Sequence, residues 1–130
     1  MGNYRRCDPC IGLSYLGTYQ RHEQEERDSM IVYNITMKVN PSIEAEWLEW
    51  QKKEHIPDIM DTHLFIDHKF YKLLEQEQQE GNTYIAQYFC STPAQLDEYL
   101  DKFAPALREK AFAKWGNKFI AFRTTMELVN

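Results

Sequence analysis

Three histidines and three aspartates crowd the middle of this chain: His55, Asp58, Asp61, His63, Asp67 and His68. Imidazoles and carboxylates at that density suggest either metal ligation or acid–base work. The histidines are spaced by eight and five residues, which does not match the i, i+4 pairing that puts two ligands on one helix face. No metal site is expected. His63, at the entrance of a strand pattern, and His68, within it, read as solvent-facing side chains. His55 differs, because it closes an aromatic helix pattern just before Pro57. Two roles are open to it. It could cap carbonyls that a broken helix leaves free, or it could act as a neutral pocket acid or base with Asp58 as orienting partner.

The cysteines promise less. Cys7-x-x-Cys10 is half of a redox or zinc motif, but a redox pair needs a strand-to-helix setting and zinc needs two more ligands. Cys90 sits in a strand pattern and reads as a small buried apolar residue. An odd, sparse cysteine count suits a reducing compartment, so a cytoplasmic location is expected. There is no glycine-rich phosphate loop, serine elbow or carboxylate pair, and hence no cofactor is expected and no reaction is legible. Fifteen basic against twenty acidic residues give −5, which argues against nucleic acid or an anionic membrane as partner. No apolar run approaches a membrane span.

These residues must be positioned by a single domain, since 130 residues leave no room for two of ordinary size. Residues 1–29 show no sustained period. They read as a disordered extension or as upstream sequence from a mis-assigned start, with the domain running over 30–130. From Met30 the order is clear. Ile31 to Val39 alternates, with Ile31, Tyr33, Ile35, Met37 and Val39 on one face and Val32, Asn34, Thr36 and Lys38 on the other. Asn40-Pro41-Ser42 stops the strand and starts a helix whose face carries Ile43, Trp47 and Trp50; Pro57 interrupts it after His55-Ile56, and Asp58-Ile59-Met60-Asp61 makes a further turn. Leu64–Leu74 and Thr83–Cys90 read as a second and third strand. The polar tip between them ends in Gly81-Asn82. Thr92-Pro93 opens a second helix, with a kink expected near Phe103-Ala104 because of Pro105 and an end at Gly116. Lys118–Val129 is the fourth strand.

The order β-α-β-β-α-β predicts an α+β, ferredoxin-like split β-α-β domain: a four-stranded antiparallel sheet with both helices on one face. The uncovered face would hold Val32, Asn34 and Thr36, with either Ile85, Gln87 and Phe89 or Tyr84, Ala86 and Tyr88 beside them. Either set leaves much apolar surface, so a homodimer through the open sheet face is expected. On the covered side, a pocket between sheet and helices would be lined by Tyr33, Trp47, Trp50, His55 and Tyr88, and would suit a small aromatic or apolar ligand. If every aromatic is core, the chain is instead a structural or regulatory homodimer.

Several segments together resemble a small uncharacterised bacterial family, a domain of unknown function. They are Ile31-Val32-Tyr33-Asn34-Ile35-Thr36, Trp47-Leu48-Glu49-Trp50, Glu54-His55-Ile56-Pro57-Asp58-Ile59-Met60 and Tyr84-Ile85-Ala86-Gln87-Tyr88. More distantly the chain resembles the dimeric α/β-barrel group of cofactor-independent antibiotic-biosynthesis-type monooxygenases, haem-degrading monooxygenases and stress-responsive barrel proteins. That resemblance implies two sheets packed into a shared barrel, and an oxygenase-like enzyme as the alternative function. The haem-degrading members use an Asn on the first strand with a Trp and a His, which adds Asn34 to the candidate set beside Trp47 and His55. The His here follows the first helix, so the triad does not map position by position.

Overall fold

The computed structural model describes residues 30–75 and 81–129. Residues 1–29 and most of the polar tip, 76–80, lie outside the described residues. The elements are β1 (Ile31–Val39), α1 (Glu44–Trp50), a π turn (Gln51–His55), α2 (Ile56–Met60), β2 (Asp67–Lys72), β3 (Asn82–Cys90), α3 (Pro93–Lys102), α4 (Ala104–Trp115) and β4 (Phe119–Glu127). The sheet order is β2-β3-β1-β4 and each neighbouring pair is antiparallel. This is the split β-α-β plan expected from the order of patterns.

β1 takes a central place because its alternation can satisfy two environments at once. Ile31, Tyr33, Ile35, Met37 and Val39 are buried beneath the helices, as are Tyr84, Ala86, Tyr88 and Cys90 of β3. The register leaves the opposite parity on the open face. Val32, Asn34 and Thr36 lie there beside Phe89, Gln87 and Ile85, and beside Met126, Thr124 and Phe122 of β4. Of the two sets open for β3, the uncovered one is therefore Ile85, Gln87 and Phe89. Ile120, Phe122, Met126 and Tyr71 are exposed.

Three local details depart from the sequence reading. The second strand covers only Asp67–Lys72, not Leu64–Leu74. Phe65 is buried against Tyr33, Tyr88 and Tyr99, so the chain plugs the core before it joins the ladder. The preceding turn places His63 at φ 63°, a left-handed conformation in which histidine is enriched. Second, the interruption expected at Pro57 is a widened turn just before it, with the further turn following as expected. The Ile56 N–H reaches the Gln51 carbonyl, five residues back, and the helix continues to Met60. Proline lacks an N–H and its ring crowds the carbonyl four residues earlier, so a widened turn just before it relieves both problems. Third, α1 starts at Glu44, after a turn in which the Asn40 side chain accepts from the Ser42 N–H at 2.9 Å.

The second helical segment follows its signals. Thr92 and Gln95 form a reciprocal capping box before Pro93, and the chain breaks at Phe103 ahead of Pro105. Gly81 is buried at φ 108°, where a Cβ would stand 1.9 Å from the Val39 carbonyl oxygen. Only glycine fits between the end of β1 and the start of β3.

Candidate functional site

Trp47 is fully buried, with its ring against Phe70, Tyr84 and Phe119 at centroid distances of 6.2, 5.4 and 5.6 Å. It pins α1 to three strands and is core. Below it, Glu44 accepts from Asn82 at 2.7 Å and from the Tyr84 hydroxyl, which holds the Glu44 carboxyl below its usual range. Trp50 is also buried, one turn further on. It stacks on His55 at 4.5 Å, meets Trp115 edge-on at 5.8 Å and donates its indole N–H to Glu54 at 3.1 Å.

Beyond this aromatic wall the helices leave a cavity of about 310 Å³ between α4, the π turn and the sheet. Its deep surface is made by Ile35, Met37, Ala86 and Tyr88 from the sheet, Gln51 from the π turn and Ala111 from α4, all of them buried. Arg108, Phe112, Asn117, Ile120 and Arg123 are its exposed lining residues, and they mark the mouth. Gln51 and His55, at the two ends of the π turn, both reach the lining.

His55 is half-buried, and its Nδ1 is buried without a hydrogen-bond partner among the described residues. Desolvation lowers its pKa to about 4; the negative charge of Asp58 works against this, whereas Lys110 and Arg123 reinforce it. The imidazole is neutral at pH 7, as expected from an aromatic setting. It is not a helix cap, because the helix runs on past it. Asp58 does not orient it either: the Asp58 carboxylate accepts from Lys110 at 3.1 Å, and Lys110 also faces Glu54 at 3.5 Å.

A depressed histidine pKa makes stability depend on pH in one direction. Above about pH 6.5 both folded and unfolded chains hold His55 neutral, and nothing is lost. As pH falls from 6.5 towards 4 the unfolded chain takes up the proton first, so stability declines over that window. Allowing for partial exposure, the loss is about 2 kcal/mol, or about 10 °C in melting temperature. Melting curves between pH 7.5 and 4.5 check this, and His55→Asn should flatten the profile. An unchanged slope in the variant would place the acid sensitivity elsewhere.

Of the six residues singled out for a ligand, the structure brings His55 and Tyr88 to the cavity wall, with Trp50 behind the imidazole. Tyr33 shares the covered face but does not line the cavity; its hydroxyl accepts from Arg108 at 3.0 Å. Asn34 lies on the other side of the sheet, accepting from Gln87 at 3.2 Å and donating to Thr36 at 3.3 Å. Asn34, Trp47 and His55 therefore do not converge, and the residues present do not fit a haem site of the kind that the barrel resemblance implies.

Gln51, Arg108 and Arg123 were missed. Gln51 is 1% exposed, and its amide nitrogen faces only the Met37 sulfur at 3.6 Å while Oε1 has no partner among the described residues. An unpaired buried acceptor costs about 1–3 kcal/mol. A glutamine four residues after Trp47 was a visible signal of a polar group on an aromatic face. The arginines gave none, because Arg123 reaches the site only through the pairing of β4 with Ile35. His63 and His68 are exposed, Cys90 is buried, and no cluster of three metal-ligating side chains occurs among the described residues. Nor is any helix among them long and apolar enough to cross a membrane.

No curated protein matches the chain in sequence. Solved structures do match its fold. SnoaB, a cofactor-independent oxygenase from Streptomyces nogalater, is 13% identical with a TM-score of 0.58, over 78% of this chain and 95% of that one. A dimeric ferredoxin-like protein from an uncultured marine organism is 8% identical with a TM-score of 0.60, over 78% and 97%. A conserved protein of unknown function from Bacteroides thetaiotaomicron, described as a possible oxidoreductase, is 14% identical with a TM-score of 0.56, over 78% and 99%. At these identities the likeness establishes a ferredoxin-like fold. The family model for a domain of unknown function, DUF4286, matches residues 30–129, and the chain belongs to that family.

Proposed function

We propose that the protein is a homodimeric small-molecule-binding domain whose ligand occupies the cavity beside His55. The carrying observation is the cavity itself, about 310 Å³ and walled by apolar groups, with a neutral imidazole on its lining. A concave, mostly apolar recess with a few polar groups is the usual form of a small-ligand site. Dimerisation through the open sheet face is supported by the exposed apolar residues Phe122, Ile120, Met126 and Tyr71 and by the dimeric state of one fold neighbour. A reducing, cytoplasmic setting suits the buried free thiol of Cys90.

The test is a thermal-shift screen of the purified protein against haem, flavins, quinones and aromatic acids, with His55→Ala and His55→Asn run in parallel. A compound that raises the melting temperature of the parent should lose about tenfold or more in affinity in both variants at pH 7, where each stays folded. Silence from all four classes, together with variants that are merely less stable, would leave His55 a structural residue. An oxygenase-like reaction is the second reading, supported by the neutral His55 as a proton acceptor and by the fold shared with SnoaB. Oxygen uptake with a ligand from the screen, abolished in His55→Ala, separates catalysis from binding.

A further inference from the structure

The polar groups of the cavity are unevenly placed, and their placement specifies a ligand. At the deep end the Gln51 amide is almost wholly buried, and its Oε1 can only accept a hydrogen bond. Its own nitrogen faces a thioether, a weak acceptor. Here the cavity lacks a donor. At the mouth two guanidinium groups, Arg108 and Arg123, stand on the same lining. Arg108 spends one N–H on the Tyr33 hydroxyl and has four left. Neither arginine has a carboxylate within ion-pair distance among the described residues, whereas Lys53, Lys102 and Lys110 all do. Between the two ends the surface is mostly apolar, from Ile35, Met37, Ala86, Ala111 and Phe119, and the neutral His55 imidazole and Tyr88 share that lining.

We propose that the cavity binds a small apolar carboxylate with a neutral hydrogen-bond donor, a hydroxyl or amine, at the end remote from the carboxyl group. The donor reaches Gln51 Oε1, the apolar body covers Met37 and Ala111, and the carboxylate meets Arg108 and Arg123 at the mouth. Both polar ends of the cavity then find partners that the protein alone does not supply. An apolar anion without the donor leaves Gln51 unsatisfied. A neutral molecule leaves the arginines unpaired, although solvated. This inference rests on the cavity being a ligand site and adds the chemistry of the ligand.

The probes are para-hydroxycinnamate, cinnamate and methyl para-hydroxycinnamate, each titrated into the full chain at pH 7 by calorimetry. Para-hydroxycinnamate should bind tightest, and loss of either the hydroxyl or the carboxylate should weaken binding about tenfold. Gln51→Met, similar in volume, should reduce para-hydroxycinnamate to the affinity of cinnamate while raising the melting temperature. Arg123→Gln and Arg108→Gln should weaken both acids and spare the ester. Ala111→Leu, which fills the cavity, should abolish binding of all three. Equal binding of the three probes, lost in Ala111→Leu, overturns the inference and leaves the pocket standing. So does silence from the probes while a neutral apolar compound from the wider screen binds. Silence from every compound overturns the inference together with the reading on which it rests.

Discussion

Phe122→Glu should split the proposed homodimer into monomers of chain mass, 15.6 kDa, in sedimentation equilibrium at micromolar concentration. Phe122 is 64% exposed in the single chain and sits opposite Thr36, between Ile120 and Met126 along β4. With Val32, Ile85 and Phe89 on the adjoining strands it makes one apolar surface, the kind of patch that marks an interaction site. Placing a carboxylate at its centre strands an ionised group in a dry interface, a cost of several kcal/mol in each subunit. Two such groups across a two-fold axis add repulsion, and micromolar association, about 8 kcal/mol, does not survive the sum. Ala113→Glu, on the exposed side of α4, is the control and should stay dimeric. A parent protein that sediments at chain mass would remove the dimer from the reading altogether.

Trp47→Ala carries the largest expected loss of stability. The ring is wholly buried and touches Phe70, Tyr84 and Phe119, one residue from each of β2, β3 and β4. Its removal opens a void that three strands would have to close together, and substitutions of this kind cost about 3–5 kcal/mol. Against a typical total of about 5–15 kcal/mol, that brings the domain near its unfolding threshold at body temperature. Trp47→Phe should be far milder, about 1–2 kcal/mol. It keeps most of the contact, and the lost indole N–H has no hydrogen-bond partner among the described residues. Urea titrations of the three proteins read the difference directly. A loss below about 1 kcal/mol for the alanine variant would show that Trp47 is not the pin between α1 and the sheet.

The sheet was legible because its strands have a period of two and only one face packed under the helices. Tyr33 and Asn34 are neighbours, and that period already assigns them to opposite sides of β1. Grouping both with His55 ignored it, and the structure separates them accordingly. Gly116 and Thr92-Pro93 were legible for a different reason: each acts on its own backbone, so no distant residue can change the outcome. Pro57 is the contrary case. The interruption and the turn after it are written in the sequence, but not whether the helix breaks or widens there; Ile56 and Ile59, on either side of the proline, are buried in the packed structure. Phe65 shows the same competition, its alternation suggesting a strand while the core takes its ring before pairing starts. The mouth of the cavity was beyond reach. Arg108 and Arg123 come together only when α4 packs over β1 beside a correctly registered β4, and neither stands out from its neighbours in sequence.

All three tryptophans are buried, and one of them, Trp50, lies face to face with the imidazole that lines the cavity. A neutral imidazole in that position disturbs indole emission little, whereas a protonated one is an efficient quencher. The protein thus carries its own optical probe. Protonation of His55 on a falling pH scale dims one of three blue-shifted emitters, and a molecule entering the cavity alters the same emitter through the same ring. Site occupancy and the ionisation of the site should both be readable from the emission of the unlabelled chain.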